Sequence, residues 1–314
     1  MGSWKVVFSL VSLVTWMETS QVRCVHVSRR DVFTSRESTL DMALSSYDDQ
    51  YKGCGRDMEA EIPKLFQTEY KTNRDFASAW DIAKSEWEER KQFARMPPGF
   101  KEEYAIAILA YTIDGPLHRI FNTAVREAGQ SREYYLRTFK FKALHYYLTN
   151  ALRLLDEQDA QKCHIVYRGI KGVRFKSVGQ KPIRFGQFTS SSSNSENAQQ
   201  FGQDTLFSIE TCYGVSIKNF SFFPGEDEVL IPPFEKFKVT NFTKGPERNI
   251  ISLQSMEKSS VYNCEYVKEK QCTSLKCLFN SASRLGGVSS ALLVVLIFWG
   301  FIVMIHASED LPKT

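Results

Sequence analysis

The sequence predicts an α+β domain in which a helical layer comes first and a strand-rich half follows. Three observations carry that expectation. Apolar residues recur at helical spacing from about residue 36 to 157, the period changes to two after Gln161, and the later strands come grouped instead of alternating with helices. Grouping argues against a doubly wound sheet, and no GxGxxG follows a strand to suggest a dinucleotide fold of that kind.

In the first half, Phe76, Trp80, Ala83 and Trp87 lie at helical steps, with Thr72 or Asn73 as candidate N-caps and Pro97-Pro98-Gly99 as the stop. Tyr104, Ile108 and Tyr111 mark a second helix, ended by Asp114-Gly115-Pro116. Leu117 to Glu127 reads as a third, and Phe141, Leu144, Leu148 and Leu155 as a fourth. Cys163 to Gly169, Ile183 to Ser190, Leu206 to Cys212, Glu228 to Ile231, Lys236 to Thr243 and Asn249 to Ser255 then read as short strands bounded by turn residues. Only Ser195 to Phe201 looks helical in that half, and no internal repeat is present.

Composition narrows the function class. The 314 residues are 43% hydrophobic and 24% charged, ordinary for a globular protein. The 40 Lys+Arg against 36 Asp+Glu are scattered, so nucleic acid is not favoured as a partner. Seven cysteines (Cys24, Cys54, Cys163, Cys212, Cys264, Cys272 and Cys277) form no CxxC, and five histidines form no HExxH, so no metal site is expected. Disulfides are the better reading, and the four cysteines inside the globular part allow three pairings. The sequons Asn219-Phe220-Ser221 and Asn241-Phe242-Thr243 make Asn219 and Asn241 candidate glycosylation sites.

Both ends carry targeting signals. Lys5 followed by the apolar run Val6 to Trp16 suits a secretory signal peptide, placed at residues 1–22. A single domain is then expected over 23–279, its helical part at about 36–157 and its strand-rich part at about 161–265. Small residues at Asn280 to Ser283, a short spacer and the apolar run Ala291 to His306 resemble a glycosylphosphatidylinositol attachment signal within 280–314. Counted from Leu285 to His306, the segment is also long enough for one transmembrane helix. Either anchor places the body outside the cell.

Three short pieces in the strand-rich half carry chemistry. The first is Val166-Tyr167-Arg168-Gly169, where a strand-end guanidinium can grip a phosphate through two parallel hydrogen bonds. Taken alone, a surface salt bridge is the commoner explanation of such an arginine. The second runs Phe185-Gly186-Gln187-Phe188-Thr189-Ser190-Ser191-Ser192, hydroxyls that can hold a carboxylate or a sugar, although serine runs are usually solvated loops. The third is Gly225-Glu226-Asp227-Glu228 opening the apolar Val229-Leu230-Ile231-Pro232-Pro233. Strand alternation would point Glu226 and Glu228 one way and Asp227 the other, although an exposed acidic turn explains the run almost as well.

In this order and spacing, YRG, F-x-S-x-S and E-x-E before VLIPPFE resemble the arginine-specific ADP-ribosyltransferases of the cholera-toxin-like class, specifically the vertebrate ecto-enzymes. The resemblance runs from about Ser46 to Cys264 and departs in Ser191, where the family often has Thr. It implies the ADP-ribosyltransferase fold, a helical layer on a two-sheet core with a central NAD-binding cleft. It implies NAD as co-substrate, NADP beside it, no permanently bound cofactor, and arginine-bearing acceptors at the cell surface. By the same resemblance, Arg168 would grip the NAD phosphates, Gly169 would hold the nicotinamide amide, and Tyr167 and Phe188 would flank the site. Phe201 would stack on nicotinamide, Ser190 would orient Glu228, and Glu228 would be the main catalytic carboxylate. Glu226 would position the acceptor guanidinium. The family pairing is Cys54 with Cys264 and Cys163 with Cys212. A member that only hydrolyses NAD, or a catalytically silent surface recognition protein, is the alternative.

Overall fold

The computed structural model describes residues 35–272 apart from 160–161, 177–178 and 180. The expected signal peptide, Cys24, Cys277 and the expected anchor segment lie outside the described residues. After β1 (Arg36–Thr39), six helices follow: α1 (Gly55–Thr72), α2 (Arg74–Arg90), α3 (Glu102–Thr112), α4 (Leu117–Ala128), α5 (Arg132–Thr138) and α6 (Lys142–Gln158).

The α2 boundary is set by Asn73, whose side chain accepts the Phe76 N–H at 3.2 Å and so satisfies one free donor of the first turn. Among these six, α1 and α5 were not anticipated as separate elements, and a further helix at Glu265–Gln271 was not anticipated either. The inward face of α1 is Met58, Ile62, Leu65 and, unexpectedly, Glu69. That carboxylate accepts the backbone N–H of Lys142 at 2.6 Å and of Ala143 at 3.0 Å, capping α6 from another helix where Phe141 offers no side-chain cap. Burial pushes its pKa upward, and these two N–H donors oppose the shift.

The second half supplies β2 (His164–Ile170), β3 (Val173–Lys176), β4 (Thr189–Ser192), α7 (Ser195–Gln200), β5 (Thr205–Thr211), β6 (Val215–Ser216), β7 (Glu228–Ile231), β8 (Glu235–Lys244), β9 (Asn249–Lys258) and α8 (Glu265–Gln271). Seven of these strands join in the order β6-β7-β4-β2-β5-β9-β8, and β1 pairs with β3 in a separate parallel ribbon. The large sheet has a thin seam. β2 and β5 share seven register positions from His164↔Thr211 to Ile170↔Thr205, whereas β2 and β4 share only Tyr167↔Ser192. The expected two-sheet core therefore takes the form of two strand groups that meet at one residue pair. Strands that touch at one pair can splay, and Arg168 and Ser190 stand on the two sides of that seam.

One expected strand is shorter than Ile183 to Ser190. Ile183 makes an isolated bridge to Phe237, and regular pairing starts only at Thr189. The cause is Gly186, which sits at φ 63 where a Cβ would overlap Ala43 and Ser46. Beside it, the fully buried Arg184–Asp48 ion pair also ties the end of the domain down, because Asp48 accepts the Val261 and Tyr262 N–H groups.

The helical layer packs on the β6-β7-β4 end, where Phe188, Val215, Ile217, Phe220 and Leu230 join the aromatic core of α1 to α6. The opposite side of the sheet holds a second cluster that includes Val166, Phe207, Val229, Ile231, Phe237 and Ile251. Because Val229 and Ile231 belong to that second cluster, Leu230 and Glu228 face the helices. Disulfides join Cys54 to Cys264, 210 residues apart, and Cys163 to Cys212 at the ends of neighbouring β2 and β5. Closing the longer loop contributes on the order of 5 kcal/mol by chain-entropy reasoning.

Candidate active site

A cleft of about 620 Å³ opens where the seam meets the helical layer, within the usual size of a small-molecule site. Its strand wall is Tyr167, Arg168 and Gly169 of β2 with Ser190 and Ser192 of β4. Tyr111, Asp114, His118 and Asn122 stand on the helical side, and Phe201, Phe223, Glu226 and Glu228 also line it.

Arg168 enters half-buried and donates from its guanidinium to the Ser190 carbonyl, which aims the side chain across the seam. Burial pulls its pKa down, and Tyr111 and Glu228 oppose that shift. A guanidinium keeps its charge under such conditions. Gly169 has a steric reason to be glycine: a Cβ there would overlap the carbonyl oxygens of Ala198 and Gly202, so α7 lies directly on β2.

Glu228 is 6% exposed. Its Oε2 accepts the Ser221 hydroxyl at 3.1 Å, and the Ser190 hydroxyl lies close enough to the carboxylate to lower its pKa. Burial raises its pKa, the two hydroxyls and then Arg168 lower it, and Glu226 adds to the rise. Burial favours the acid form of such a carboxylate, and its specific partners oppose that by favouring the ionised form. Ser190 shares the face of Glu228 because it stands opposite Leu230, two residues along β7. Ser191 turns away to donate to the Val229 carbonyl at 2.7 Å.

Glu226 and Glu228 both line the cleft, but strand alternation is not the reason. Pro224–Glu226 is a single 3₁₀ turn, Asp227 is left-handed at φ 49, and β7 begins only at Glu228. The left-handed residue swings its own carboxylate out to Lys218 at 2.6 Å and leaves its two neighbours on the cleft side. Burial also raises the Glu226 pKa.

Phe188 corrects an expectation. Its ring is fully buried, stacked on Phe121 with centroids 5.6 Å apart and edge-on to His145, so it belongs to the core behind the cleft and is not a wall of it. Thr189 and Ser190 turn toward the sheet only after that anchor. Phe201, by contrast, is 57% exposed at the cleft edge, just past the end of α7. Asn219 and Asn241 are exposed. Among the described residues, Cys163, Glu210 and Cys212 form a group of metal-ligating types, but its two sulfurs are joined in the disulfide and offer no thiolate.

Four lining or supporting residues escaped the sequence reading. Tyr111 donates to the Phe188 carbonyl at 2.9 Å and accepts from the Asn122 amide at 3.0 Å. It reads in sequence as one more apolar position of α3. His118 lies one turn before Asn122, where burial, Arg119 and Arg168 hold its pKa below the ordinary value. Ser221 reads only as the third residue of a sequon. No local pattern would have found them, since each gains its place through a distant contact.

Comparison with known proteins agrees with this architecture. The family described as NAD:arginine ADP-ribosyltransferase matches residues 40–261. The chain is 46% identical over 313 residues to human GPI-linked NAD(P)(+)--arginine ADP-ribosyltransferase 1, covering 94% of each chain. It is 51% identical over 246 residues to the chicken erythroblast NAD(P)(+)--arginine ADP-ribosyltransferase, covering 78% of this chain and 82% of that one. Among solved structures, the eucaryotic mono-ADP-ribosyltransferase ART2.2 superposes with a TM-score of 0.64 at 42% identity, over 73% of this chain and 99% of that chain. A variant of that enzyme was solved in complex with NAD. With the family profile matching most of the described residues and relatives of this identity covering most of its length, the chain belongs to the NAD:arginine ADP-ribosyltransferase family.

Proposed function

We infer that this cleft splits NAD and transfers ADP-ribose to arginine side chains, releasing nicotinamide. The observation that carries the reading is the convergence of Arg168, Glu228 and Glu226 on one cleft, with Glu228 buried and hydroxyl-bound.

The bond to break joins the ribose anomeric carbon to the nicotinamide nitrogen, and its electron pair leaves with nicotinamide. Positive charge then develops on the anomeric carbon and ring oxygen. A preorganised carboxylate such as Glu228, accepting from a ribose hydroxyl, stabilises that charge more in the transition state than in bound NAD, and so accelerates the step. Arg168 holds the pyrophosphate, which a guanidinium matches bidentately. Gly169 lets the β2 backbone approach the nicotinamide amide, Tyr167 flanks it, and Phe201 covers the ring from the edge.

Arginine is protonated at neutral pH and nucleophilic only once its proton is lost. Glu226, at the same cleft and less buried than Glu228, attracts the acceptor guanidinium and takes its proton as nitrogen attacks the anomeric carbon. Proton and charge balance: one C–N bond forms as another breaks, and the proton goes to Glu226 and then to water. Relatives are named for both NAD and NADP, so NADP is an expected second donor.

The named GPI-linked relative and the C-terminal apolar segment support attachment to the outer face of the plasma membrane through a lipid anchor. Removal of residues 1–22 as a signal peptide and glycans on Asn219 and Asn241 fit the same route. Acceptors are arginine-bearing proteins reachable from that surface.

The test uses NAD labelled in its ribose, offered to cells displaying the protein with and without a free arginine analogue. Transfer yields a labelled guanidino adduct. Free ADP-ribose alone, unchanged by the analogue, would replace this reading with NAD hydrolysis, and no nicotinamide release would leave a recognition protein.

A further inference from the structure

We propose that Ser221 is a positioning residue for the reaction: a second hydroxyl that holds Glu228 in place and in its ionised form, alongside Ser190. The inference rests on the NAD-splitting reading above and assigns a catalytic-site role to a residue that in sequence marks only a glycosylation sequon.

The acceptor's chemistry decides which way the hydrogen bond runs. The Ser221 Oγ accepts the backbone N–H of Phe223 at 3.1 Å and donates its own O–H to the Glu228 Oε2 at 3.1 Å, the direction required by an ionised carboxylate, which only accepts. Ser221 is fully buried, so no water competes for either bond. The segment carrying it is tied down on every side. The Ile217 N–H donates to the Glu228 carbonyl at 3.0 Å, and the Ser221 N–H donates to the Ile217 carbonyl at 2.7 Å. Arg90 of α2 donates to the Ser221 carbonyl at 2.9 Å, and the Phe222 N–H donates to Thr112 of α3 at 2.9 Å.

Five hydrogen bonds therefore place one hydroxyl, and that hydroxyl comes to the carboxylate from a segment other than β4. Ser190 alone would leave Glu228 free to rotate about its side-chain torsions. With both, its charge stays aimed at the place where positive charge develops. A hydroxyl that donates to a carboxylate favours the ionised form. The titratable and charged groups facing Glu228 are Arg168 of β2, Glu226 of the preceding turn and Tyr111 of α3.

The test compares nicotinamide release by the full chain displayed on cells across a pH series. Ser221→Ala should lower kcat about tenfold, the usual worth of a hydrogen bond to a charged group, with KM for NAD nearly unchanged. Its acid limb should also move to higher pH. The sign follows because removing the donor raises the Glu228 pKa, so the carboxylate protonates earlier as pH falls. Ser221→Thr, which keeps the hydroxyl, should recover most of the kcat and return the acid limb.

The same substitution to Ala destroys the Asn219 sequon, so Asn219→Gln is the control: it removes any glycan, keeps Ser221 and should behave as wild type. A Ser221→Ala variant with wild-type kcat and acid limb would overturn the inference. So would an Asn219→Gln variant that reproduced the Ser221→Ala loss, or a Thr variant as impaired as Ala. If Ser221→Ala is not displayed, Ser221→Cys, which keeps the volume and replaces the hydroxyl by a weak donor, decides by the same kcat loss and acid-limb shift, and a Cys variant with wild-type kcat and acid limb overturns the inference. Wild-type protein that released no nicotinamide would instead remove the underlying reading.

Discussion

The two walls of the cleft are built by different means. Arg168 stands on β2, paired to β5 at seven positions and closed at one end by the Cys163–Cys212 disulfide. Glu228 opens a four-residue strand directly after a left-handed residue, and its carboxylate is held by hydroxyls from two other segments. One wall is backbone scaffolding with a charged post on it. The other is a set of side-chain contacts around a carboxylate whose acid form burial favours. A group that only grips phosphate serves bound NAD and the transition state alike, so a rigid strand suffices. A group that must carry charge in a buried place as a bond breaks needs its protonation state maintained as well.

That division is breakable by substitution. Glu228→Gln should have the largest effect, keeping the shape and losing the charge: nicotinamide release should fall by roughly a thousandfold in kcat, the scale for removing a preorganised electrostatic group. Steady-state kinetics that retained a tenth of the rate would mean the carboxylate is not the charge-stabilising group. Arg168→Lys should come next, with KM for NAD raised about tenfold because an ammonium cannot match a pyrophosphate bidentately, and with a smaller change in kcat. A variant that lost kcat and kept KM would erase the proposed difference between the walls.

Much of this was legible in sequence, for reasons that can be named. The amphipathic helix around Phe76 to Trp87 and the strand Glu228 to Ile231 declare themselves because burial on one side or on both leaves a periodic trace. Arg168, Ser190, Glu226 and Glu228 stand in short words whose spacing survives folding, and the structure brings all four to one cleft. What failed was local reasoning applied to places decided by distant contacts. Gly186 breaks an alternating run because Ser46 and Ala43 crowd it, and Asp227 leaves the strand pattern to reach Lys218. Glu69 is a polar residue on the inward face of α1 because it caps a helix more than seventy residues away. Tyr111 and Ser221 gain their places only when the helical layer closes on β7, which no window of sequence contains.

The most direct test separates the two carboxylates. Glu226→Gln, assayed with ribose-labelled NAD and an arginine analogue, should lose the guanidino adduct while nicotinamide release stays within about threefold of wild type, since the group removed handles the acceptor and not the leaving group. Full retention of the adduct, or loss of adduct and nicotinamide release together, would contradict the assignment of separate tasks to Glu226 and Glu228.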